Sequence, residues 1–104
     1  MANIAGLKIA FRAYQKFKAR SGPQQVLPAL DKYTDEQLLF LGYAQVFCES
    51  RTAAELKQFI ATNPNPPNRY MVMGTLQNSD EFAKAWNCPH GSPMKRNKTC
   101  TTIW

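Results

Sequence analysis

Residues 34–49 constrain the fold of this chain more than any other stretch. Thr34 can accept a bond from the amide of a helix's first turn. Gln37 stands three residues on to return the bond, and Asp35 and Glu36 suit the positive end of a helix. The remainder of the stretch is apolar on nearly every side: Leu38, Leu39, Phe40, Leu41, Tyr43, Ala44, Val46, Phe47 and Cys48. A helix of this kind is central to its own domain or is covered by something else. Gly42 within it costs about 1 kcal/mol relative to Ala and suggests close packing at that point.

Three further helices flank it. Over about 4–20, Leu7, Ala10, Phe11, Tyr14 and Phe17 recur at spacings that share one face. Ser21-Gly22-Pro23 stops that helix, since Gly suits the left-handed cap and Pro cannot continue. Leu27, Pro28 and Leu30 are expected to tuck against the core. Thr52 and Glu55 form a second capping box, opening a helix over about 53–61 with Leu56, Phe59 and Ile60 inward. The run Asn63-Pro64-Asn65-Pro66-Pro67-Asn68 forbids regular structure. Tyr70 to Met73 reads as a short extended segment ending at Gly74. Asn78 or Ser79 caps a last helix over about 80–87, and residues 88–104 form an irregular tail. The fold class is therefore all-α, a single small domain over 1–104 of about four helices. Apolar residues around most of helix 35–49 place Leu39, Phe40, Tyr43 and Phe47 at a protein contact, with Ile103 and Trp104 of the tail as plugs or further contacts.

Composition narrows the function. The 104 residues carry a net charge of +6, and Lys8, Arg12, Lys16, Lys18 and Arg20 form a basic face on the first helix with no acid among them. Such a stripe attracts polyanions. The stacking aromatics that single-stranded RNA requires do not alternate with it, so nucleic acid is the least supported partner. No stretch approaches the roughly 20 apolar residues of a membrane helix, so no membrane insertion by this segment is expected. The start lacks the basic and apolar regions of a signal peptide, which implies a cytoplasmic or nuclear chain unless other sequence carries it out. There are three cysteines and one histidine, with no C-x-x-C pair, so a metal site or other cofactor is not expected. Cys48 reads as a small buried hydrophobe, Cys88 and Cys100 as able to close a short loop, and His90 as a loop residue.

Several strings point to a family. YTDEQLLFLGYAQVFC at 33–48 resembles the pattern EQLFFxxFAQxWC, MGTLQNSDEF at 73–82 resembles GTLxNSxEF, and FAKAWNC at 82–88 resembles FxxAFxC. GSPM at 91–94, Cys100 and Trp104 are similar to the ending of the same proteins, and Leu7 to Gln15 to a helix they place after a zinc ligand. Together these resemble the C-terminal segment of the neprilysin family of zinc metallopeptidases, over nearly the whole chain.

The resemblance implies a secreted or membrane-tethered peptidase. Its zinc is held by an H-E-x-x-H helix and by the Glu of an ENxAD motif, and a later His and Arg act on the transition state and substrate. This chain departs from that set. It has no H-E-x-x-H. Asn3-Ile4-Ala5 resembles the centre of ENxAD, but Ala2 stands at the Glu position and the motif's Asp is missing. Counted back from Gly74, Met71 stands at the Arg position and Asn65 at the His position. A thioether cannot make the paired charged hydrogen bonds of a guanidinium, and an amide carries no charge. In the family the counterparts of Cys48, Cys88 and Cys100 bond upstream cysteines that this chain does not contain. Three residues separate Cys100 from Trp104 where the family has two.

The expected function is a non-catalytic protein-interaction module derived from the peptidase's C-terminal lobe, with a protein partner or a second copy on the apolar helix. An alternative is a segment of a longer secreted peptidase-like protein, supplying scaffold and part of a substrate cleft. A third reading is weak nucleic-acid binding through the basic helix 8–20.

Overall fold

The computed structural model describes residues 2–100. Five helices occur among them and no strand: α1 Ala2–Ser21, α2 Asp35–Val46, α3 Ala53–Thr62, α4 Asn68–Leu76 and α5 Asp80–Ala85. Met1, Ile103 and Trp104 lie outside the described residues, so the expectation of tail plugs falls outside them too.

The helix ends follow local chemistry. At α2 the Thr34 hydroxyl accepts from the Gln37 amide at 3.2 Å, and the Gln37 side chain accepts from the Thr34 amide at 3.0 Å. At α3 Thr52 and Glu55 form the same reciprocal pair, and at α5 Ser79 accepts from the Phe82 amide. Gly22 closes α1 at φ +72°, its amide donating to the Lys18 carbonyl at 3.0 Å. α5 ends in a Schellman turn. Asn87 takes φ +52°, the Cys88 amide reaches the Ala83 carbonyl, and the Asn87 amide reaches that of Lys84.

The core is small. Leu7 and Phe11 of α1, Phe40 of α2 and Leu76 of α4 form one buried cluster, with Leu39, Tyr43, Val72, Phe82 and Trp86 packed around it. Phe40 lies at its centre, face-stacked on Phe11 and met edge-on by Phe82 at 5.4 Å and 88°. α4 packs along α1, and α5 along α2. The Gln37 side chain ties the last pair by donating to the Ala85 carbonyl at 2.9 Å.

Several expectations are corrected. Tyr70 to Met73 is helical, within α4. Pro67 fixes the entry, its carbonyl receives the Tyr70 and Met71 amides, and burial of Thr75 and Leu76 against α1 rewards the helix. Gly74 sits inside α4, not at its end. α2 stops at Val46 rather than Glu49, its last turn tightening to bonds from Phe47 to Ala44 and Cys48 to Gln45. That turn leaves Cys48 exposed rather than buried in the helix. Gly42 is exposed with nothing near its missing Cβ, so no close packing explains it. Leu27 and Leu30 of the connector are exposed, and Pro28 with them. α3 buries none of its side chains, and Ile60 is 61% exposed, so it does not present an inward face. It is anchored beside Arg51, whose guanidinium lies 3.9 Å from the centre of the Phe59 ring. Cys88 and Cys100 remain free thiols and close no loop.

Candidate functional site

The three positions singled out as departures from the peptidase pattern come together in space. Ala2 opens α1, Asn65 sits in the proline-rich loop, and Met71 lies on α4. All three line one cleft of about 440 Å³. The pairing of α4 with α1 creates this juxtaposition, since it brings the first turn of α1 opposite Met71 and Gly74. The loop is shaped locally: the Asn65 amide donates to the Asn63 side-chain oxygen at 2.9 Å. Asn78 braces the far side. Its side-chain NH2 donates to the Gly74 carbonyl at 2.7 Å, and its oxygen accepts from the Cys100 amide at 2.6 Å. The tail is thus pinned to the cleft rim. Local pattern marks Asn78 only as a candidate helix cap, a role that Ser79 takes instead.

The chemistry of the cleft is mild. It offers the amides of Asn3, Asn65 and Asn78, the hydroxyls of Tyr70 and Thr75 and the Cys100 thiol. No carboxylate and no imidazole lines it, and no cluster of three His, Cys, Asp or Glu occurs among the described residues. A zinc ion bound by imidazole and carboxylate does not fit this donor set: Ala2 has no ligand atom, and a single thiol beside amides is not a zinc site.

A second concavity of about 350 Å³ runs between α1 and α2. Gly6 and Ala10 form one wall, and Leu39, Gly42, Tyr43 and Val46 the other. The expected contact residues divide here. Phe40 is 2% exposed and belongs to the core, because it points at Phe11 and Phe82, and so cannot serve as a contact. Leu39 and Tyr43 are half-buried against that core. Phe47 packs edge-on against Tyr43 at 5.2 Å. The outward residues of α2 are instead Leu41 and Val46, the latter 79% exposed. An all-round apolar helix gives no periodic signal to distinguish these sides.

The basic face is also divided. Lys18 turns back to α2 and bonds Glu36 at 2.9 Å and Asp35 at 3.3 Å. Those bonds raise its pKa, and the bond from Lys18 holds the Glu36 carboxyl below its ordinary value. Arg12, Lys16 and Arg20 stay exposed, and Lys8 is half-buried beside Asp80 and Glu81.

Fold and cleft together define a small all-α unit with a thin core, one groove between α1 and α4 and another between α1 and α2. Residues 1–102 match the model of peptidase family M13, and the chain belongs to that family. It is 43% identical to endothelin-converting enzyme 1 of Rattus norvegicus over 104 residues. It is 40% identical to neprilysin-1 of Caenorhabditis elegans over 105 residues, and 38% identical to human endothelin-converting enzyme-like 1 over 104. Each match takes in 100% of this chain but only 13% or 14% of the relative.

Proposed function

We propose that this chain is a non-catalytic scaffold segment of the M13 lobe, whose groove between α1 and α2 is packed against another polypeptide. The cleft at Ala2, Asn65 and Met71 carries the first half of this reading, since a single thiol is its one metal-binding side chain and it has neither a carboxylate nor an imidazole to act as general base. The surface carries the second. The chain exposes 7827 Å², against about 5,900 Å² for a folded monomer of its mass. Its radius of gyration is 15.7 Å, against about 13 Å for a compact domain of this length. Val46, 79% exposed, lines the α1–α2 groove, and Leu41, Leu56, Ile60, Tyr70 and Met73 are further large apolar side chains left on the surface.

The test is zinc analysis of the dialysed chain together with hydrolysis of a neprilysin-type peptide. Neither retained zinc nor cleavage is expected. Stoichiometric zinc with turnover overturns the reading. The relatives' much greater length favours a second version, in which the covering polypeptide is the rest of a longer peptidase-like chain. An immunoblot of the native source separates the two: a band near 11.8 kDa fits a separate partner, and a band several-fold larger fits the longer chain.

A further inference from the structure

Helix α1 carries two parallel rows on its outer side. Arg12, Lys16 and Arg20 follow one another at steps of four residues, with Lys8 half-buried at the head of their row beside Asp80 and Glu81, and Ile9, Ala13 and Phe17 form the second row. Each step of four advances about 40° around a helix, so the rows wind together and stay roughly 100° apart. Ile9 is 60% exposed and Phe17 52%, and they stand eight residues, or about 12 Å, apart along the axis. Arg12, Lys16, Arg20 and Ala13 are exposed as well. None of the three exposed cations makes an ion pair among the described residues, whereas Lys18 on the inner side is held by Asp35 and Glu36. α1 contains no acidic residue.

The geometry points to an anionic lipid surface as the partner of this face: the helix lies in the plane of the headgroups, Arg12, Lys16 and Arg20 meet lipid phosphates and carboxylates, and Ile9 and Phe17 enter the acyl boundary. The charge is complementary to an anionic leaflet, and exposed apolar side chains beside the cations are what an interfacial helix requires. A nucleic-acid backbone satisfies the cations but leaves Ile9 and Phe17 in water, and α1 offers it no second exposed aromatic for stacking. No described helix is long and apolar enough to cross a membrane, so the contact is peripheral.

The test is co-sedimentation of the full chain with vesicles of phosphatidylcholine alone or with phosphatidylserine added, at about 0.1 M salt. Binding is expected only with phosphatidylserine. The double variant Arg12→Gln, Lys16→Gln lowers the partition coefficient about 30-fold, for two cations removed. Phe17→Ser lowers it several-fold without changing its salt dependence, and Lys57→Gln on α3 leaves it unchanged. These positions are exposed, and an unchanged circular dichroism spectrum verifies that each variant is folded. Equal binding to neutral and anionic vesicles overturns the proposal, as does full retention by the double variant. An unaffected Phe17→Ser variant overturns the interfacial placement. Binding to RNA or polyglutamate with none to vesicles assigns the face to another polyanion and likewise overturns it.

Discussion

Phe11 and Phe40 stack with ring centroids 5.5 Å apart and planes 17° from parallel, and this contact joins α1 to α2. Phe82 closes on the other edge of Phe40. With so few buried side chains, the stability of the chain is concentrated on this triad. Phe40→Ala is expected to cost about 3–5 kcal/mol, a large share of what a domain of this size possesses. Val46→Ala, on the exposed side of the same helix, is expected to stay within about 0.5 kcal/mol. Urea unfolding followed by circular dichroism makes the comparison, and equal midpoints for the two variants would remove Phe40 from the centre of the core.

Capping at α3 acts locally. The helix buries nothing, so its formation depends on the Thr52–Glu55 box and on Arg51 over Phe59. Thr52→Ala removes about 1 kcal/mol from α3. Amide exchange over residues 53–62 should quicken roughly five-fold while exchange in α1 stays unchanged. Uniform acceleration across the chain would mean that α3 supports the whole fold.

Acid should unfold the chain through three carboxylates. The bond from Lys18 lowers the pKa of Glu36, the Thr52 amide lowers that of Glu55, and the bond from Lys95 lowers that of Asp80. A carboxyl with a lowered folded value contributes stability that is complete above its unfolded value, which is 4.5 for Glu and 3.8 for Asp. That stability is lost as pH falls through the folded value. The melting temperature should therefore be flat from about pH 7 to 5 and fall below about 4.5. Lys18→Met should shrink the part of the fall that belongs to Glu36. A melting temperature that rises on acidification contradicts this assignment.

The thiols should react in two classes. Cys48 and Cys100 are exposed, whereas Cys88 is half-buried and its amide is fixed on the Ala83 carbonyl. Titration of the native, reduced chain with a chromogenic disulfide should give a fast phase of two thiols and a slower phase of one. Three equal rates would place Cys88 on the open surface.

Sequence alone determined the features whose causes lie within a few residues. The boxes at Thr34 and Thr52, the Ser79 cap and the left-handed stop at Gly22 are bonds between near neighbours, and they form wherever the chain goes. The family could be read in the same way, from strings that survive in order. Tertiary structure decided the rest. Helix α4 exists because Thr75 and Leu76 find α1, so a segment that reads as extended, with Gly74 as its stop, becomes helical. Only packing could choose the inner side of α2, because an all-round apolar helix has no preferred face until Phe11 and Phe82 meet Phe40. Lys18 left the basic face for the same kind of reason, since Asp35 and Glu36 arrive beside it only when α2 folds back on α1. The cleft shared by Ala2, Asn65 and Met71 is likewise a product of long-range packing between α1 and α4, across a separation in sequence that no local pattern spans.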